Sequence, residues 1–200
     1  MYTLYFSPGA CSLATQVILR ELNQPFTLIN RSHVTDFQAI NPVGAVPALG
    51  HDDQVITEGA AIILHLLQNH PSDLLPQDAT AKQAAIEQLL FANATVHPAY
   101  SKLFFLAAAL PEGEAQSTAL QAAAEGINKL WALVERNLQH QPYLAGECLT
   151  PADILLSVYE TWGQYFNVDI QIGPKTQALL QQVRQRSSYI AALAAEQEAA

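Results

Sequence analysis

The stretch Ser7-Pro8-Gly9-Ala10-Cys11-Ser12-Leu13-Ala14 decides the fold of the first third of the chain. Before it, Tyr2-Thr3-Leu4-Tyr5-Phe6 is rich in β-branched and aromatic residues, which favours a short strand. After it, apolar residues recur at helical spacing as far as Leu22, so a helix is expected to begin near Ser12. Pro8-Gly9 is typical of a turn. The sequence therefore predicts a strand, a turn and a helix, with Cys11 at the start of the helix.

The position of Cys11 has a chemical consequence. At a helix start, unpaired N–H groups and the positive end of the helix dipole favour a negative charge, which lowers the pKa of a thiol. A lone cysteine elsewhere is most often a small buried apolar residue. Both interpretations of Cys11 stay open at this point, and the first predicts sulfur chemistry.

The next fifty residues alternate between strand and helix signals, which is typical of mixed α/β structure. Phe26-Thr27-Leu28-Ile29-Asn30 is expected to be a second strand, parallel to the first because a helix connects the two. A short helical turn is expected from Asp36 to Ile40. A further strand begins at Pro47 and returns as a β-hairpin, and a helix follows with Thr57 as its candidate cap.

The second half of the sequence is expected to be helical throughout. Residues 71–78 contain two prolines and are predicted to be a linker between a domain of residues 1–70 and a domain of residues 79–200. Alanine, leucine, glutamine and glutamate dominate beyond the linker, with apolar residues at helical spacing. Pro98 predicts a kink or bend near Val96-His97, because proline lacks the N–H that a helix interior needs.

One helix start in this half carries several agreeing signals. In Thr150-Pro151-Ala152-Asp153, the threonine can cap the helix, the proline suits its first position and Asp153 can complete a capping box. We expect this motif to serve folding rather than chemistry.

Composition excludes several classes of function. The formal net charge is −9 with only nine Lys and Arg residues, so binding to nucleic acid or to an anionic membrane surface is not expected. No signal peptide or membrane-spanning segment is recognisable. Cys11 and Cys148 show neither a metal-ligand spacing nor a disulfide framework. We therefore expect no metal and a cytoplasmic location.

Four motifs, taken in order, resemble signatures of the cytosolic glutathione transferases, and the bacterial beta class is the nearest match. They are Pro8-Gly9-Ala10-Cys11-Ser12-Leu13, Asn41-Pro42-Val43-Gly44-Ala45-Val46-Pro47-Ala48-Leu49, Thr57-Glu58-Gly59-Ala60-Ala61-Ile62 and Leu149-Thr150-Pro151-Ala152-Asp153. The resemblance implies an α/β thioredoxin-like N-terminal domain followed by an all-α C-terminal domain. It also implies glutathione as co-substrate, a pocket for a hydrophobic electrophile between the domains, and a homodimer.

The resemblance also assigns residues to the glutathione site. Val46 and Pro47, joined by a cis peptide bond in that family, would offer backbone groups to the extended tripeptide. The Gly59 N–H at a helix start would meet a ligand carboxylate, and Glu58 would face the ligand's ammonium group. Without the resemblance, Pro47 is an ordinary loop proline and Glu58 a helix-favouring acid.

The thiol chemistry is assigned in the same way. Cys11 would contact the glutathione sulfur, His97 would polarise that contact, and Trp162 would line the pocket. A histidine beside a proline is otherwise most often structural or solvated, and Trp162 could equally be core. Tyr5 and Ser12 are the hydroxyls that other classes of the family use to activate the thiol, so either could assist.

Two features depart from the beta-class pattern. The segment from Arg31 to Ile40 is several residues short and lacks the lysine that binds the glycine carboxylate, for which Arg31 or His33 could substitute. Pro98 replaces a basic residue that commonly follows the histidine. These departures bear on glutathione affinity more than on the fold.

The predicted function is therefore conjugation of glutathione to electrophilic small molecules, with thiol-disulfide exchange through Cys11 as a second activity. Conjugation needs the glutathione thiolate to be stabilised, whereas exchange needs Cys11 itself to be a thiolate. The alternative is a non-catalytic interaction or regulatory module on the same fold, since fold alone does not determine function.

Overall fold

A computed structural model describes residues 1–199, which form two compact units. The first unit comprises Met1–Leu75 together with the chain from Val183 onward, and the second comprises Pro76–Gln182. The sequence-based domain boundaries of 1–70, 71–78 and 79–200 stay a prediction. The two units differ from them because the C-terminal helix belongs to the first unit. In chain order the elements are β1 (Tyr2–Phe6), α1 (Ser12–Glu21), β2 (Phe26–Asn30), β3 (Ala48–His51), β4 (Gln54–Ile56), α2 (Gly59–Asn69), α3 (Ala79–Phe91), α4 (His97–Ala109), α5 (Glu114–Asn137), α6 (Pro151–Tyr159), α7 (Pro174–Arg184) and α8 (Ser187–Glu198).

The first unit contains a four-stranded mixed sheet in the order β2-β1-β3-β4. β1 pairs with β2 in parallel, with Tyr2 opposite Phe26, and β3 pairs antiparallel with both β1 and β4. The predicted bounds of the first two strands, their parallel pairing and the hairpin are confirmed. The short helical turn predicted from Asp36 to Ile40 is a 3₁₀ turn over Phe37–Ala39, where the Asp36 carboxylate accepts from the Ala39 N–H.

Burial explains how the elements of the first unit stay together. Leu4 and Phe6 of β1 are fully buried, and the half-buried residues alternate with them as a strand with one core face requires. On the other side of α1, the Gln16 side chain donates to the Ala192 carbonyl of α8 at 3.2 Å. At the end of α1, Arg186 binds the Glu21 carboxylate through two nitrogens, each at 2.8 Å. Helix α8 is thereby attached to α1 along its length.

The second unit is helical, as the sequence predicts. A π-helical segment, Ala92–Val96, separates α3 from α4 and ends next to the position where the kink or bend is predicted, which itself stays a prediction. A π segment is a common way to accommodate a residue that cannot continue the hydrogen-bond ladder. Within the core of the unit, the buried Trp131 ring N–H donates to the Tyr100 hydroxyl at 2.9 Å.

The predicted capping box at the start of α6 is confirmed. The Asp153 carboxylate is fully buried and accepts from the Thr150 N–H at 2.7 Å and from the Thr150 hydroxyl at 2.9 Å. It also accepts from the Leu144 N–H at 2.9 Å, a contact that the sequence did not predict. One carboxylate therefore joins the helix start to the preceding loop. Among the described residues, no helix is long and apolar enough to cross a membrane.

Candidate functional site

Cys11 lies where the sequence predicts it, in the residue before the first turn of α1. The preceding turn is closed by an Ala10 N–H bond to the Ser7 carbonyl, and Gly9 has φ +69°, a conformation that glycine adopts without strain. The Cys11 side chain is half-buried, and its Sγ donates to the Val46 carbonyl oxygen at 3.2 Å. The structure therefore brings together two of the predicted site residues, Cys11 and Val46.

The expected lowering of the Cys11 pKa is wrong. Burial of the thiol raises its pKa to about 11, although the backbone N–H groups of Cys11 and Ser12 act in the lowering direction. Helix-end groups do stabilise a charge here, as the sequence predicts, but the loss of water around the sulfur outweighs them. At neutral pH Cys11 is a thiol that donates a hydrogen bond.

The loop before β3 has the predicted backbone, because the Val46–Pro47 peptide bond is cis. Two side chains fix this loop. Arg31 donates from Nη1 to the Gly44 carbonyl at 2.7 Å, and the buried Asn41 donates from Nδ2 to the Ala45 carbonyl at 2.7 Å. The sequence analysis missed Asn41. Its position before Pro42 was a signal, since asparagine side chains commonly bond to nearby backbone in turns.

Glu58 has the most unusual backbone of the candidate residues. It precedes the first residue of α2 with φ +68° and makes no capping bond with its side chain, which is exposed. Thr57 is therefore not the cap, which corrects that expectation. A residue with a Cβ in the left-handed region is strained, and such residues cluster at functional sites. The N–H groups of Gly59 and its two successors have no intrahelical acceptor, as in the first turn of any α-helix.

The two alternative hydroxyls have structural surroundings. Ser12 is fully buried, and its hydroxyl lies 3.4 Å from both the N and the O of Ser7, so it braces the turn. Tyr5 is half-buried, with its ring 5.8 Å from that of Phe37. The Ser12 hydroxyl is thus already used within the loop.

The second unit brings His97 and Trp162 together. Their ring centroids are 5.2 Å apart in an edge-to-face arrangement, and the His97 ring meets Tyr159 in the same way at 5.1 Å. Burial lowers the pKa of His97 below its ordinary value. The imidazole is therefore mainly neutral at pH 7, so one ring nitrogen carries a hydrogen and donates a hydrogen bond, while the other accepts one.

Further aromatic side chains extend this cluster, and the sequence analysis did not single them out. The Phe104 ring lies 6.1 Å from Trp162 and 6.2 Å from Tyr165. Phe104 is 43% exposed and Tyr165 is 60% exposed. Aromatic residues at helical spacing usually belong to the core. The exposure of Phe104 and Tyr165 in the structure is what distinguishes them from core residues.

A buried acid contacts the cysteine loop from α8. The Gly9 N–H donates to Glu196 Oε2 at 2.9 Å, and Glu196 is only 3% exposed. Burial raises the pKa of this carboxyl to about 7, against the lowering effect of the Gly9 hydrogen bond. Sequence reasoning missed Glu196, because nothing local distinguishes it from the exposed Glu198.

The first unit has a thioredoxin-like sheet, a cysteine at the start of its first helix and a cis-proline loop, and a helical unit follows it. This combination is typical of transferases that act on a thiol substrate. A family model described as glutathione S-transferase, N-terminal domain, matches residues 2–76, and one described as glutathione S-transferase, C-terminal domain, matches residues 96–187. The chain belongs to the glutathione S-transferase family.

Individual relatives and solved structures are similar to this chain over nearly its whole length. Glutathione S-transferase GST-4.5 of Xanthomonas campestris pv. campestris is 34% identical, over 96% of this chain and 98% of the relative. A sphingomonad glutathione S-transferase solved in complex with glutathione is 31% identical with a TM-score of 0.83, over 98% of both chains. A bacterial beta class enzyme of Sphingomonas chungbukensis is 30% identical with a TM-score of 0.83, over 97% of this chain and 98% of that one.

Proposed function

We propose that this protein binds glutathione in its first unit and conjugates it to electrophilic small molecules. The observation that carries the proposal is the backbone of Glu58, which is held at φ +68° at the start of α2. Strain of this kind costs on the order of 1–3 kcal/mol, is held by the surrounding structure and is concentrated at ligand-binding and active sites. Here it presents an exposed carboxylate beside unpaired helix N–H groups.

The chemistry of the candidate residues suits glutathione. Glutathione is an extended tripeptide with one ammonium group, two carboxylates and a thiol. Glu58 supplies a carboxylate for the ammonium, and the start of α2 at Gly59 supplies N–H donors for a carboxylate. The backbone of Val46 and Pro47 supplies an acceptor for pairing with an extended peptide.

The state of Cys11 supports conjugation over exchange. In conjugation, the glutathione thiol loses its proton to solvent, its sulfur bonds to the electrophilic carbon, and the leaving group departs with the bonding electrons. Exchange instead needs the Cys11 thiolate to attack a disulfide sulfur. A Cys11 pKa of about 11 makes that thiolate scarce at neutral pH. The protonated Cys11 does not compete with glutathione as the anion. It can donate its one hydrogen to the glutathione sulfur in place of the Val46 carbonyl.

The aromatic cluster of the second unit supports a hydrophobic electrophile. His97 and Trp162 are packed edge to face, while Phe104 and Tyr165 leave ring surface exposed. Ring faces of this kind bind planar apolar molecules. We propose that Trp162, which is 6% exposed, supports the electrophile site from beneath Phe104, and that the neutral His97 is the polar group of this site. The role of His97 toward the glutathione sulfur stays a prediction.

We also propose a homodimer and a cytoplasmic location. The family resemblance supports the dimer, which light scattering coupled to gel filtration would test. Both cysteines of the chain are free thiols, and Cys148 is exposed, which suits a reducing compartment.

Calorimetric titration with glutathione tests the proposed site. The parent should bind, and Glu58→Gln should raise the dissociation constant by about tenfold, because a charge-assisted contact with the ligand's ammonium is lost. Asp53→Asn is the matched control, since it removes one exposed carboxylate from the same unit. Conjugate formation with a chlorodinitrobenzene, followed by absorbance, tests the reaction. A parent that neither binds nor conjugates glutathione would leave the non-catalytic module as the better description.

A further inference from the structure

Three consecutive backbone carbonyls before the cis-proline each accept a hydrogen bond from a different side chain. The pairs are Arg31 Nη1 with Gly44 O at 2.7 Å, Asn41 Nδ2 with Ala45 O at 2.7 Å, and Cys11 Sγ with Val46 O at 3.2 Å. The first two are short and use strong donors, whereas a thiol is a weak donor. The loop is therefore held firmly on both carbonyls that precede Val46.

Asn41 is the centre of this arrangement. It is 4% exposed, and its side-chain Oδ1 accepts from the Val43 N–H at 3.1 Å while its Nδ2 binds Ala45. Its own N–H donates to the Phe37 carbonyl at 2.9 Å, and its carbonyl accepts from the Gly44 N–H at 2.7 Å. Every polar group of Asn41 is thus bonded within one short stretch of chain.

Arg31 holds the same loop from outside. It follows β2, it is exposed, and its guanidinium reaches thirteen residues along the chain to the Gly44 carbonyl. Gly44 has φ +71°, so the loop turns sharply at the residue that Arg31 binds. A hydrogen bond from a charged guanidinium to a carbonyl is stronger than one from a neutral donor.

We propose that Arg31 and Asn41 are positioning residues, a two-point clamp that holds the Gly44 and Ala45 carbonyls so that Val46 is presented in a ready-made conformation to an extended peptide ligand. The inference rests on the proposed function, since the ligand is taken to pair with the Val46 backbone. If a loop becomes ordered only when the ligand binds, the loss of its conformational entropy makes the binding free energy less favourable. A preorganised loop avoids this cost at the binding step. The clamp therefore raises affinity without touching the ligand.

This assignment differs from a direct role of Arg31 as the partner of the glycine carboxylate. A carboxylate partner contributes only to ligands that carry the glycine. A clamp contributes equally to glutathione and to γ-glutamylcysteine, which lacks the glycine but keeps the part that pairs with a strand edge. Comparison of the two thiols therefore separates the roles.

The experiment measures dissociation constants for glutathione and γ-glutamylcysteine by calorimetry in the parent, Arg31→Ala and Asn41→Ala. Because Arg31 is exposed, its variant should unfold at nearly the parent's temperature and bind both thiols about 3- to 10-fold more weakly. Asn41→Ala should weaken both by at least as much, with a lower melting temperature. In conjugation assays, KM for glutathione should rise while kcat stays near the parent value. Val43→Ala is the control, since Val43 is 75% exposed and its N–H bond to Asn41 survives the change.

Each outcome decides the matter. Equal weakening of both thiols in Arg31→Ala, with Val43→Ala unchanged, supports the clamp. If Arg31→Ala binds both thiols as the parent does, or weakens glutathione alone, the clamp is overturned, and the second result makes Arg31 the glycine-carboxylate partner. A parent that binds neither thiol overturns the proposed function and the clamp with it.

Discussion

Replacing the buried Glu196 by glutamine should change how the stability of the protein depends on pH. Its folded pKa of about 7 lies above the ordinary 4.5 of a glutamic acid, because burial disfavours the carboxylate more than the Gly9 N–H stabilises it. The folded state therefore holds a proton that the unfolded chain releases between about pH 4.5 and 7. For a raised acid pKa, stability is highest below that range and falls as pH rises through it.

The magnitude follows from the shift. A displacement of roughly 2.5 pKa units corresponds to about 3 kcal/mol, of which on the order of 2–3 kcal/mol is lost between about pH 5 and 8. Glutamine cannot ionise, so Glu196→Gln should lack this loss. The variant should gain about 2–3 kcal/mol of unfolding free energy relative to the parent as pH rises across that interval.

Urea unfolding followed by circular dichroism, at fixed protein concentration and at several pH values, measures this difference. The difference between the unfolding free energies of parent and variant at each pH cancels the contributions of the other titrating groups. Glu198→Gln is the matched control, since it removes the same charge from the same helix at an exposed position. The reasoning fails if the difference between parent and Glu196→Gln is independent of pH, or if the parent gains on the variant as pH rises.

Three further predictions concern other groups. Asp153→Ala should cost about 3–5 kcal/mol in urea unfolding, more than the ~0.5–2 of an ordinary cap, because three donors lose one buried acceptor; a cost under about 1 kcal/mol would contradict this account. In a Cys148→Ser background, alkylation of Cys11 by iodoacetamide should stay slow at neutral pH and accelerate towards about pH 11, and a midpoint below the ordinary thiol range would reverse the assignment. The His97 ring should titrate below the usual histidine range by NMR, and a normal midpoint would show that its burial is not retained in solution.

Short-range patterns were sufficient for most of the fold. The strand from Tyr2 to Phe6, the helix start at Ser12 and the capping box between Thr150 and Asp153 depend on neighbours within a few residues. The spacing of apolar residues, the turn residues and the capping residues can be identified in the sequence, because the interactions between near neighbours depend on them. The family motifs extended this to the cis peptide bond before Pro47.

Tertiary structure alone decided the charges and the partners of the site. The helix start at Cys11 was correctly predicted, but the direction of its pKa shift was not, since burial by distant segments outweighs the local N–H groups. The same holds for Glu196, which gains its partner Gly9 only because α8 returns to α1. Arg31 reaches Gly44, and Leu144 reaches Asp153, through contacts that no local period encodes. The sequence by itself thus located most elements of the first unit and the capping box of α6. Desolvation and long-range hydrogen bonds, which depend on packing, determined the protonation and the partners of the site residues.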